Sequence, residues 1–238
     1  METENEQRQP ALSGATIHTV EPGRGVEWLV GGFRIFMKTP AFWLVAGIAI
    51  LAGNWILGII PLVGEAVAMA ANVVAVGALM RAAQALENGA DPVAAAQLAF
   101  SSTPLWILGA MSAALTFGLM LSLMVLGLSS ASMFMLGFGA VGPVLMIGLL
   151  LMLAFFALMF MGFWLAPALV ALRGLAPVEA IKLSFAAALK NLVPFLVFMV
   201  LATLASIVGA IPLGLGLLVV FPAVVASSYL AYRDIFRA

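Results

Sequence analysis

No Lys, Arg, Asp or Glu occurs between Asp91 and Arg173, and that gap constrains this chain more than any other feature. Soluble domains carry about 25% charged residues, spread along the chain. A helix that crosses about 30 Å of hydrocarbon needs about 20 apolar residues. The uncharged interval is therefore long enough to cross a membrane and come back. The whole chain agrees, being 65% hydrophobic and 8% charged, with a mean hydropathy of +1.21. The expected fold class is all-α, a polytopic transmembrane helical bundle.

Six spans are legible, at about residues 40–60, 62–86, 104–128, 143–167, 192–211 and 213–232. Pro40 opens the first, where its missing N–H is no loss. Inside the uncharged interval the turn is expected at Ser129, Ser130, Ser132 and the cluster Gly137, Gly139, Gly142, Pro143. Pro212 and Gly214 separate the last two spans. Arg8, Arg24, Arg34 and Lys38 precede span one, and Arg81 ends span two. Arg173, Lys182 and Lys190 lie between spans four and five, and Arg233 and Arg237 follow span six. The turns near Pro61, Ser130 and Pro212 hold no basic residue, so the positive-inside rule predicts cytoplasmic N- and C-termini.

The basic-side segments resemble one another. PVAAAQLAF at residues 92–100 aligns with PVEAIKLSF at 177–185; Val26, Glu27 and Phe33 keep the spacing of Val178, Glu179 and Phe185. Gly58 to Leu62 (GIIPL) echoes Gly209 to Leu213 (GAIPL) at the far turns. The expected unit is an interfacial amphipathic helix followed by a transmembrane hairpin, three times in parallel, at about residues 22–89, 90–174 and 175–238. These make a single domain, 22–238, preceded by a disordered cytoplasmic tail, 1–21, whose polar residues have nothing to bury. In the third unit Val178, Ile181, Phe185 and Leu189 recur at helical spacing, with Glu179, Lys182 and Lys190 on the other face. This reads as a bracing elbow helix, or as a surface for lipid headgroups or a cytoplasmic partner. Trp28 and Trp43 are expected as interfacial anchors, and Asp91-Pro92 as a helix opening.

Chemistry is sparse. Glu65 is the one charge expected on the extracytoplasmic side, either as a wetted residue favoured by a helix N-terminus or as a substrate or proton site. Asn54 and Asn72 fall inside spans one and two, where an amide usually finds an interhelical hydrogen bond. Glu65, Asn54 and Asn72 form the candidate intramembrane site. Nine of the fourteen methionines lie from Met111 to Met161. Thioethers ligate Cu(I), but they also fill apolar packing, and no His or Cys stands by to complete a site, so no metal or other cofactor is expected. GFGAVG at residues 137–142 lacks the Lys and preceding strand of a phosphate loop. There is no HExxH, no membrane aspartate pair and no Ser with a usable His, and no basic patch interleaved with aromatics. Neither an enzyme nor nucleic-acid binding is expected.

Residues 167–184, PALVALRGLAPVEAIKLS, followed by Asn191, Pro222 and Tyr229, resemble bacterial six-span inner-membrane families of unknown function. They resemble more distantly the membrane domain fused to some glycerophosphodiester phosphodiesterases. The phosphodiesterase barrel is missing, so no catalytic residue carries over. The resemblance implies an inner-membrane location and a lipid-linked or scaffolding setting. The expected role is a non-enzymatic scaffold or accessory factor in the envelope, with a transporter or channel for a small or lipidic solute as the alternative. Membrane lipids are the expected partners, together with other membrane proteins or further copies of the chain.

Overall fold

The computed structural model describes residues 16–135 and 141–237; residues 136–140, which include Gly137 and Gly139, lie outside it. The described chain is helical, without strands. In order it comprises α1 (Arg24–Lys38), α2 (Pro40–Leu57), α3 (Val63–Glu87), α4 (Pro92–Phe100), α5 (Thr103–Met135), α6 (Val141–Phe163), α7 (Ala166–Arg173), α8 (Pro177–Lys190), α9 (Leu192–Ala210) and α10 (Leu217–Phe236). Six segments are long and apolar enough to cross a membrane: α2, α3, most of α5, α6 with α7, α9 and α10.

Burial ranks the spans. In α10, 61% of the apolar window is buried inside the protein, and in α3 39%, against 11% in α2. α10 and α3 are therefore the centre, and α2, α5 and α6 present their side chains outward. Val45, Ile48 and Trp55 on α2 and Leu149, Leu150 and Leu151 on α6 are all more than half exposed. A surface of that kind suits hydrocarbon rather than water.

The expected turn at Ser129–Ser132 is corrected: α5 is 33 residues long and runs through these serines to Met135. A serine in an apolar helix can satisfy its hydroxyl on the carbonyl four residues back, as Ser122 does on Gly118 at 2.8 Å. Such a residue does not end a helix. Gly142 and Pro143 likewise fall within the first turn of α6, where Pro is tolerated.

The interval after α6 also differs from expectation. The fourth span, expected to end at Pro167, breaks at Trp164 and Leu165 and resumes as α7, which is buried from Ala166 to Ala171. Pro167 has no N–H and its ring excludes a continuous helix. The freed backbone groups are met by α8, because the Ser184 hydroxyl accepts from the Leu165 N–H at 2.9 Å and donates to the Met161 carbonyl at 2.8 Å.

α1 is not a loosely attached surface helix. It packs antiparallel on α10, sunk in at Gly32, where a Cβ would sit 2.4 Å from the Ala223 carbonyl oxygen. Gly25 does the same against Pro194 and Phe198 of α9. This close approach encloses Trp28, which is 1% exposed, and Trp43 of α2 is 0% exposed, so neither ring is presented to lipid as expected of an anchor. Trp28 lies 6.0 Å from Trp164 and 6.3 Å from Phe198, ring centre to ring centre.

α8 buries a side made of small residues. Its buried residues are Ala180, Ser184, Ala187 and Ala188, whereas Val178 and Leu189 are exposed and Ile181 and Phe185 only half-buried. Small side chains let α8 lie close to its neighbours, so its larger apolar residues face outward. The helix opening at Asp91 forms as expected, with the carboxylate accepting from the Val93 N–H at 2.9 Å.

Candidate functional site: an amide pair in an apolar cavity

Asn54 on α2 and Asn72 on α3 face each other and exchange two hydrogen bonds, from Nδ2 of each to Oδ1 of the other, at 3.1 and 3.0 Å. The ring so formed uses one N–H and one acceptor site of each amide and leaves each with one more N–H to donate. Both residues line a cavity of about 360 Å³ between α2, α3 and α4. Its walls are apolar, including Phe42, Ile50, Leu57, Leu79 and Phe100, with Gln97 of α4 the remaining polar side chain. From Phe42 to Leu57 the cavity follows α2 for about 22 Å, at 1.5 Å per residue. It is shaped and lined for an apolar, elongated occupant with one polar group.

Glu65 does not join the amides. It lies in the first turn of α3, is exposed, and does not line the cavity that holds the two amides. Two helical turns separate it from Asn72. The structure thus brings together two of the three candidate residues. On α8, Lys182 and Lys190 are exposed and Glu179 is half-buried; Lys190 Nζ donates to the Ile17 carbonyl at 2.6 Å.

At the other end of α3, about 33 Å from Glu65 at the helical rise, the charged residues gather around the C-terminal turns of α10. Arg24 binds the Asp234 carboxylate through Nε at 2.9 Å and through its terminal nitrogen, and also pairs with Glu27. The Trp28 indole N–H donates to the same Asp234 oxygen at 2.7 Å. Hydrogen bonding to Asp234 raises the Arg24 pKa further above its ordinary value. Glu87 of α3 accepts from Arg233 at 2.6 Å and from the Tyr229 hydroxyl at 2.9 Å. Arg173 of α7 donates to the Tyr232 hydroxyl at 2.9 Å and to the Phe236 carbonyl at 3.0 Å. Arg81 keeps a buried Nε without a hydrogen-bond partner among the described residues.

Residues 16–21, placed by the sequence in the tail, are bound to this same end. The His18 N–H donates to the Ile235 carbonyl at 2.8 Å, and Asn191 clamps the segment by accepting from the Val20 N–H at 2.8 Å and donating to the His18 carbonyl at 3.0 Å. Sequence reasoning missed this hub. Its one signal was the clustering of Arg and Asp after span six, which locates the residues but not their partners.

The fold and the charge distribution define a multi-pass α-helical membrane protein with the first and last described helices meeting at one end. No protein-family model, characterised protein or solved structure matches the chain.

Proposed function

We propose that this protein is a non-enzymatic scaffold or accessory factor of a bacterial inner membrane, with both termini in the cytoplasm. The observation that carries the reading is the closed Asn54–Asn72 pair. The amides of the α2–α3 hairpin bond to each other, and Glu65 stands outside the cavity they line. A path for a polar solute needs unpaired polar or ionisable groups facing a wetted cavity, and this cavity is apolar. The ion pairs and hydrogen bonds at the opposite end tie α1, α3, α7 and α10 into one unit, as a bracing role requires. A short helix precedes each transmembrane hairpin, at α1, α4 and α8. The turns after Pro61 and Pro212 both hold a leucine at positive φ, Leu62 at 64° and Leu213 at 53°. Both features support three parallel repeats. The resemblance of residues 167–184 to the membrane domain fused to some phosphodiesterases supports a lipid-linked setting.

A second reading, transport of a lipidic solute, is favoured by the same 360 Å³ cavity. The two separate in reconstituted liposomes. For the scaffold reading, flux of a fluorescent lipid or small solute stays at the level of protein-free vesicles and does not respond to Glu65→Gln or Asn72→Leu. Flux that falls in either variant at equal reconstitution overturns it. The orientation has its own check: reporter fusions at Gly64, Ser130 and Gly214 register outside, and fusions at Asn88 and Ala176 inside.

A further inference from the structure

Two depressions meet on the outer side of α1, and Val30 and Arg34 line both. One, of about 530 Å³, is charged and lies between α1 and the end of α10. The other, of about 830 Å³, is an apolar groove bounded by α1, α9 and α10. The groove exists because its floor is made of small residues. Gly209 of α9 and Gly216 meet backbone to backbone, so a Cβ on Gly216 would lie 2.6 Å from the Gly209 Cα, and Ala205 and Ala223 add little bulk. From Gly216 to Val224 it follows the chain for about 12 Å at the helical rise.

Charge distinguishes the two mouths of this composite cleft. The acids lining the charged depression, Glu27, Glu87 and Asp234, are all engaged, Glu27 and Asp234 by Arg24 and Glu87 by Arg233. Arg34 and Lys38, one helical turn apart and both exposed, form no hydrogen bond or ion pair with the described residues. Beside them α1 exposes Val26, Val30, Phe33 and Met37, which recur every three or four residues and make one stripe. Arg34 and Lys38 share their depression with Glu87, Arg233 and Asp234, at the charged ends of α3 and α10, and the charged ends of spans sit toward the headgroups. From there the two long side chains can reach lipid phosphates, while the groove along α9 and α10 faces hydrocarbon.

We propose that this cleft binds an anionic phospholipid, with the phosphate held by Arg34 and Lys38 and an acyl chain lying in the groove between α9 and α10. An unpaired guanidinium and ammonium supply the charge-assisted donors a phosphate takes, and the groove is apolar along its length. The inference rests on the α1 face alone and is independent of the amide-lined cavity and of the scaffold reading.

The test is native mass spectrometry of the full chain in non-ionic detergent, titrated with dioleoyl phosphatidylglycerol or dioleoyl phosphatidylcholine, which carry the same acyl chains. The wild type binds the anionic lipid more tightly. The Arg34→Gln, Lys38→Gln double variant loses that preference, by about fivefold for each charge removed, while phosphatidylcholine, whose phosphate is offset by its own choline cation, weakens less. Ala205→Phe, which fills the groove, weakens both lipids; Val208→Trp is the alternative should Ala205→Phe unfold. Lys182→Gln, an exposed cation on α8, leaves the preference intact. Retained preference in the double variant, an equal loss in Lys182→Gln, or undiminished binding in the groove-filling variant would each overturn the proposal.

Discussion

Asn54 and Asn72 satisfy each other across α2 and α3 in a closed pair of amide hydrogen bonds, 3.1 and 3.0 Å long. Each is therefore the other's reason for being tolerated beside an apolar cavity. Truncating one leaves an orphan amide, whereas replacing both removes the need for a partner. Asn54→Leu or Asn72→Leu alone is expected to lower stability in detergent by about 1 kcal/mol, near the upper part of the range for interhelical polar contacts. The double variant should lose less than the two singles combined. Thermal unfolding of all four proteins measures the coupling, and strict additivity would show that the pair does not form.

Gly31 and Gly32 are neighbours with opposite expected sensitivities. A Cβ on Gly32 would lie 2.4 Å from the Ala223 carbonyl oxygen and 2.6 Å from the Ser227 amide nitrogen, both backbone atoms of α10. On Gly31 it would meet only the Leu230 side chain, at 2.5 Å from Cδ1, and a leucine can change rotamer. Gly32→Ala should cost about 1–3 kcal/mol as overpacking and Gly31→Ala distinctly less. Equal melting temperatures for the two alanine variants would contradict the close α1–α10 crossing.

The Ser184 hydroxyl makes two hydrogen bonds at the break between α6 and α7, and it is fully buried. Ser184→Ala leaves the Leu165 N–H and the Met161 carbonyl without that partner, at a cost of about 1–3 kcal/mol. Ser184→Thr keeps the hydroxyl but adds a methyl to a face built from alanines, so it should rescue the hydrogen bonds and lose stability through crowding. Hydrogen exchange at Leu165 separates the two effects: it speeds up in the alanine variant and stays slow in the threonine variant.

Much of this architecture is legible in the sequence because a bilayer imposes it. Runs of about 20 apolar residues ended by charge cannot be placed elsewhere, and five of the expected span boundaries lie near those of α2, α3, α9 and α10. The Asn54 and Asn72 pairing is legible for a similar reason, since amides on adjacent spans have few other partners. Tertiary packing is less visible. Trp28 and Trp43 carry the composition of interfacial anchors, yet Gly25 and Gly32 let α1 sink until Trp28 is enclosed. On α8 the large residues mark an apolar face, but the buried side is made of Ala180, Ser184, Ala187 and Ala188, which carry no pattern of their own. The break before Pro167 could be read from the proline, but its repair by Ser184 joins residues that only the fold brings together. Glu65 looked functional by isolation, and the structure leaves it isolated.

His18 provides the pH-dependent element of the segment that precedes α1. Its pKa lies below the ordinary 6.5, first through loss of solvation and then through the positive charges of Arg237 and Lys190. A histidine with a folded-state pKa depressed below the unfolded value contributes its stability above 6.5 and loses it as pH falls through the folded value. Acidification should therefore loosen this segment where His18 and Val20 are hydrogen-bonded to Ile235 and Asn191. As the chain has a single histidine, its imidazole resonance can be followed by NMR without assignment. The midpoint should fall below 6.5 and move upward in Lys190→Ala, because a nearby cation is gone. A midpoint at or above 6.5 in the wild type would mean that the segment does not hold His18 against this basic end in solution.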